Sequence, residues 1–183
     1  MYQDKSLGPT EAVKLAALGA LMKQTMSYAD LARDIRYFVA RVVGPSLDLL
    51  GSSLEILRLE GLIENQTQSG DPEKNILVIS ADGKDMFHDL MSCSLRTPPD
   101  DASRLVYVLK LRFLPFLAEE ERLDQIDLLR EIAETELARF EDLKNSHGEG
   151  YLGQALDMEI SQTRDKLLWL EGLSATLDET SAA

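Results

Sequence analysis

The stretch Gly44–Glu64, GPSLDLLGSSLEILRLEGLIE, is the one whose reading decides the fold. Leu47, Leu50, Leu54 and Leu57 recur at spacings of 3, 4 and 3, which places one buried stripe along a helix. Gly61 can take the left-handed backbone that ends such a helix, and Leu62 and Ile63 then begin an apolar extended run. With the leucines turned inward, Asp48, Ser52, Glu55, Ile56 and Leu59 occupy the outer side, and no Lys or Arg stands among them.

Upstream, Ser27 is an N-cap residue with Asp30 three positions on, an acidic form of the capping box. Leu31, Ile35, Phe38 and Val42 follow at spacings of 4, 3 and 4 and predict a helix over 28–42, stopped by Gly44-Pro45. Further back, PTEAVKLAALGALMK at 9–23 opens on a proline suited to a first helical turn and lines Val13, Ala16, Ala17, Ala20 and Leu21 along one side. Downstream, residues 62–87 read as strand, polar turn and strand, with Gln68-Ser69-Gly70-Asp71-Pro72 as the turn and Ile76 and Val78 in the second strand. A helix over about 81–91 packs back on them. Three helices and then a hairpin make a winged helix-turn-helix, which presents a short helix to the major groove of DNA.

The same stretch resembles the PadR family of bacterial regulators, whose recognition helix reads roughly Ser-Pro-Gly-Ser-Leu-Tyr-x-x-Leu-Lys-Arg-Leu-Glu-x-x-Gly-Leu-Ile. Ser46, Leu50, Leu54, Leu57, Gly61, Leu62 and Ile63 fall on matching positions, whereas Asp48, Leu49, Gly51, Glu55 and Ile56 depart from it. Ser27-Tyr28 resembles the Gly-Tyr pair at the start of that family's second helix, and Ser80-Ala81-Asp82-Gly83 its Thr-x-x-Gly after the wing. Lys110, Phe113, Leu117, Glu120, Glu121 and Arg122 resemble the opening of its C-terminal domain, and Trp169-Leu170-Glu171 its close. The resemblance implies a mainly α fold with a small β-wing, in which an α-helical dimerisation domain follows the winged one.

Pro98, Pro99, Asp100 and Asp101 punctuate the chain, so a boundary at 94–100 divides a winged domain over 1–93 from a helical domain over 100–177. There Ile126, Leu129, Ala133, Leu137 and Phe140 keep near a heptad rhythm on a helix of about 119–145, roughly 40 Å long. His147-Gly148-Glu149-Gly150 breaks it, and a last helix carries Leu152, Leu156, Ile160, Thr163, Leu167, Leu170 and Leu177. Two striped helices joined by a glycine turn pack antiparallel, and an apolar remainder calls for a partner chain. A homodimer is expected, with Phe113, Leu117, Leu156, Ile160, Leu167, Trp169 and Leu170 at its contact. Two winged domains would then meet DNA one helical turn apart, about 34 Å.

The 183 residues carry a net charge of −13, from 9 Lys and Arg against 13 Asp and Glu in 1–91 and 10 against 19 in 92–183. Such a chain repels DNA at long range, so binding calls for a local cationic patch. Arg33 and Arg36 on the second helix and Lys74 on the wing are the cations expected there, joined by Ser46, Ser52 and, through the family resemblance, Tyr28. The alternative is an interaction protein, whose acidic and partly apolar recognition face binds another protein instead of DNA. A small-molecule effector is a further possible partner, for which Tyr107, Phe113, Phe116, Phe140 and Trp169 are the available aromatics. With Cys93 as the lone cysteine, no signal segment and no long apolar run, a cytoplasmic protein without disulfides is expected, one that does not enter membranes. His88 and His147 stand in no catalytic motif, so neither enzyme activity nor a cofactor or metal is expected.

Overall fold

The computed structural model describes residues 7–44, 50–67, 75–95 and 101–181, except the side chains of 50–53, 67 and 177–181. The chain forms two compact units, Met1–Leu117 and Ala118–Ala183. The first holds α1 (Pro9–Lys23), β1 (Met26–Ser27), α2 (Tyr28–Val42), α3 (Leu50–Leu59), β2 (Ile63–Thr67), β3 (Ile76–Ile79), α4 (Ala81–Ser92) and α5 (Asp101–Phe113), then a 3-10 turn over Leu114–Phe116. The second is a pair of long helices, α6 (Glu119–His147) and α7 (Gly150–Ser181).

The first unit is built around α1. Between its first turn and Lys23 its sequence is apolar on every side but for Lys14, and a helix of that kind belongs in a core. Accordingly α2, α3, α4, α5 and β3 all pack on it. The expected side of Val13, Ala16, Ala17, Ala20 and Leu21 is buried, but so are Leu15, Leu18 and Gly19 on the others. Gly19 is where α5 crosses: a Cβ there would stand 2.3 Å from the ring of Phe113. By packing, the first unit runs to Leu117, because α5 rests on α1 and α2.

Strand order is β1-β3-β2, antiparallel throughout. Met26 pairs with Leu77 and Ile63 with Ile79, and an irregularity between Asn65 and Thr67 shifts the register toward the hairpin's end. Leu77 and Ile79 face the core, while Ile76 and Val78 are only half-buried. The two-residue β1 has no counterpart among the strands expected from the sequence. The expected turn at 68–72 lies outside the described residues.

The α3–β2 junction is where sequence becomes local geometry most directly. Gly61 has φ +73, its N–H donates to Arg58 O at 3.1 Å, and the Leu62 N–H donates to Leu57 O at 2.9 Å. Those two bonds make a Schellman motif, closed by burial of both Leu57 and Leu62. Ser80 then caps α4, accepting from the Gly83 N–H at 3.0 Å, donating its hydroxyl to Gly61 O at 2.7 Å and its N–H to Leu62 O at 3.1 Å. Gly83 has no alternative: a Cβ would lie 2.1 Å from Leu62 O.

Among the described residues, one charge is wholly inside this unit. Lys110 on α5 is 0 % exposed and its Nζ donates to Met91 O near the end of α4. Burial lowers its pKa from 10.5 to about 8, against a smaller raising influence of Cys93.

In the second unit α6 and α7 run antiparallel over their lengths, about 43 Å for α6. Glu121 caps the start of α6 by accepting from the Ala118 N–H at 2.9 Å. Gly148 ends α6, Gly150 begins α7 at φ +60, and Gly153 sits where a Cβ would be 2.1 Å from Gly148 O. Cross-hairpin ion pairs join Arg164 to Glu141 at 2.6 Å, Lys166 to Glu136 at 3.4 Å, and Lys144 to Asp157. No helix among the described residues is long and apolar enough to cross a membrane.

Candidate nucleic-acid interface

The helix expected to meet DNA is α3, held from three sides. Leu54 and Leu57 bury its inner stripe, the Schellman turn fixes its end, and the Lys14–Glu60 ion pair, 2.6 Å, ties the following turn to α1. Facing out are Glu55, Ile56, Arg58 and Leu59, the last 83 % exposed. The Arg58 Nη2 donates to Glu55 Oε2 at 2.7 Å, an i,i+3 pair with both side chains near half-exposed. Taken singly, Glu55 is a repulsive charge and Arg58 a separate cation; their spacing of three on a helix is the sequence signal that joins them.

Beside this pair a cleft of about 150 Å³ opens between α3 and the hairpin. Tyr28 and Asn65 line it with Glu55 and Arg58. Tyr28 is placed by its own N–H, which donates to Asn75 O at 3.1 Å and so ties the start of α2 to the base of β3. Ser27 fixes that start, accepting from the Asp30 N–H at 3.1 Å while its hydroxyl donates to Asp30 Oδ2 at 2.7 Å. The Asn65 Oδ1 is buried with no hydrogen-bond partner among the described residues.

The cations divide into paired and open. Arg33 is held by Asp30 at 2.8 Å, and Arg112 reaches from α5 to Asp34 at 2.9 Å with its guanidinium 4.5 Å over Phe38. Phe38, expected in the core stripe, is half-buried under that guanidinium. Arg36 is exposed on α2 and has no carboxylate partner among the described residues; Arg41 lies 3.5 Å over the ring of the exposed Tyr37. Thus Arg33, Arg36, Tyr37 and Arg41 follow one another along the outer side of α2. Tyr28 stands at its head, in the cleft with α3. Ser46 and Lys74 lie outside the described residues, as does the side chain of Ser52, whose backbone is in α3.

The residues expected at a chain-to-chain contact differ in burial within the single chain. Phe113, 1 % exposed, is core of the first unit, against Gly19 and 6.1 Å edge-on to Phe87. Leu117 is likewise buried. Leu156, Ile160 and Leu170 fill the α6–α7 hairpin, and Leu167 is half-buried beside them. Trp169 alone of the seven is exposed, at 51 %. With Tyr151 and Met158 it forms a second face of α7: spacings of 7 and 11 are whole helical turns. All three are large, apolar and open, on the side away from the hairpin core.

Residues 2–174 match the family model described as "Putative AphA-like transcriptional regulator". None of the curated proteins matches the chain significantly. Among solved structures, it is similar to Bacillus subtilis PadR at 19 % identity and a TM-score of 0.40, covering 94 % of this chain and 98 % of that one. The same Bacillus protein in complex with operator DNA gives 20 % identity and 0.38 over 90 % and 98 % of the two chains. In complex with p-coumaric acid it gives 19 % and 0.39 over 94 % and 99 %.

Proposed function

The chain belongs to the AphA-like family of transcriptional regulators, and on that premise we propose that it binds operator DNA as a homodimer, through α3, the start of α2 and the hairpin. The observation that carries this reading is the order α2, α3, β2, β3, in which a helix closed by a Schellman turn runs straight into an antiparallel hairpin. That is the arrangement that puts a helix in the major groove and a wing on the flanking backbone. Tyr28 and Arg36, with Arg33 once released from Asp30, supply backbone contacts; an exposed pair such as Arg33–Asp30 is worth ~0.2–1 kcal/mol and yields readily to a phosphate. Ser46, Ser52 and Lys74 complete the set. On this reading 1–93 hold the DNA-contacting elements and 100–177 the means of pairing, with α5 lying on the first unit while belonging functionally to the second. The Tyr151, Met158 and Trp169 face of α7 is the surface on which two copies meet.

A second reading is favoured by one observation: the outer side of α3 bears Ile56 and Leu59 beside Glu55, an apolar and acidic surface suited to a protein. Recovery of genomic fragments with the purified full chain separates the two. The regulator yields an enriched promoter region whose affinity falls with salt and is lost when Arg33, Arg36 and Lys74 are changed to Glu. The protein-binding module enriches nothing, even at low salt.

A further inference from the structure

We propose that Glu55 and Arg58 form the base-reading unit of α3: Glu55 accepts a hydrogen bond from the N4 amino group of a cytosine, while Arg58 fixes the carboxylate and contacts a phosphate. This rests on the DNA-binding reading above and adds to it the base that the helix selects.

A carboxylate on a surface pressed against DNA is repelled by phosphates, so its presence there needs a favourable partner. In the major groove the base edges offer amino donors only at cytosine N4 and adenine N6; guanine N7 and O6 and thymine O4 are acceptors, which a carboxylate opposes. At adenine the acceptor N7 adjoins the amino group, whereas cytosine presents its amino group with no neighbouring acceptor. Cytosine is therefore the base that an acidic side chain selects.

The geometry meets the other requirements. Glu55 points outward, since its neighbour Leu54 and then Leu57 take the core side. Its Oε2 is held by Arg58 Nη2 at 2.7 Å, and its Oε1 has no hydrogen bond among the described residues. One oxygen is thus used to orient the carboxylate and the other is left for a base. The arginine removes the net charge that would keep the pair from DNA, and it lines the cleft shared with Tyr28. Glu55 touches the base; Arg58 is a positioning residue that also engages a phosphate.

The test is selection from a pool of randomised duplexes with the full-length wild type and the variants Glu55→Gln, Glu55→Ala and Arg58→Ala, followed by titration at several salt concentrations. The wild type selects a motif with an invariant C·G pair in each half-site. Glu55→Ala keeps the rest of the motif, becomes indifferent at that pair and loses about tenfold in affinity for the wild-type duplex. Glu55→Gln moves the preference there from cytosine to adenine, because an amide pairs with adenine N6 and N7 together; a misfolded protein cannot produce that exchange. Arg58→Ala relaxes the same pair and lowers the salt slope by about 0.9 for each phosphate it ceases to neutralise. If both Glu55 variants select the wild-type motif unchanged, or bind every duplex more tightly, Glu55 is a repelling surface charge and the proposal fails while the DNA-binding reading stands. If no protein selects a motif, both fail together.

Discussion

Lys110 is the residue whose environment and chemistry are most at odds. Its folded pKa of about 8 against 10.5 means that between those values the unfolded chain holds a proton that the native chain has released. Stability attributable to Lys110 therefore rises as pH climbs from about 8 to 10.5, and is wholly absent below 8, a span of ~3 kcal/mol. Lys110→Met removes the titrating group and keeps most of its volume. Denaturant unfolding at stepped pH should show wild type gaining on Lys110→Met across that window and parallel behaviour below it. At Gly83 the constraint is steric instead of electrostatic. Gly83→Ala drives a methyl into the Leu62 carbonyl, 2.1 Å away, and should cost ~1–3 kcal/mol of stability, read as a lowered denaturation midpoint. Ser80→Ala, which loses the cap and the bond to Gly61 O, should cost about 1 kcal/mol.

Elements were legible where a local rule governs them. The helices at 9–23 and 28–42 start and stop where Pro9, Ser27 and Gly44-Pro45 say they should. Gly61 and Ser80-x-x-Gly83 mark one junction seen from both sides, and their residue types follow from two backbone facts: a positive φ and a carbonyl too near for a side chain. What the pattern concealed was long-range. β1 is two residues long and exists because β3 is there to pair with it. Leu156, Ile160 and Leu170 carry a genuine apolar stripe, but periodicity does not say whether a stripe meets its own hairpin or another chain; here it meets α6. The prolines after residue 97 read as a boundary, and the packing of α5 on α1 beyond them is signalled only by Gly19 and the scarcity of charge around that helix. For the candidate site, Tyr28, Arg33 and Arg36 can be picked out of the sequence, but not the division between Arg33, held by Asp30, and Arg36, free of any acid among the described residues. That division is testable on α2. Arg36→Ala should weaken binding to all duplexes alike and lower the salt slope by about 0.9, the signature of one phosphate no longer neutralised, in fluorescence titrations across salt.

For the whole molecule the governing quantity is the net charge of −13, which opposes DNA everywhere except at a small surface. One winged unit, in which Lys14, Arg33, Arg58 and Arg112 each have a carboxylate beside them, brings little net positive charge to DNA. Joining two such units changes the arithmetic, because the second engages its half-site at an effective concentration set by the linkage, and avidity of about 10²–10⁴ follows without any new contact. A protein of this charge should therefore depend on pairing more steeply than a basic one. The surface proposed for it is the outer face of α7, where Tyr151, Met158 and Trp169 are 90 %, 55 % and 51 % exposed. Changing Met158 and Trp169 together to Glu places two charges on that face without touching the hairpin core of Leu156, Ile160 and Leu170. Sedimentation should then report a folded monomer with unchanged helix content, and operator affinity should fall at least about a hundredfold although α3 and its surroundings are untouched. A variant that remains dimeric would move the pairing surface elsewhere; a monomer that binds as tightly as wild type would show that one winged unit suffices despite its charge.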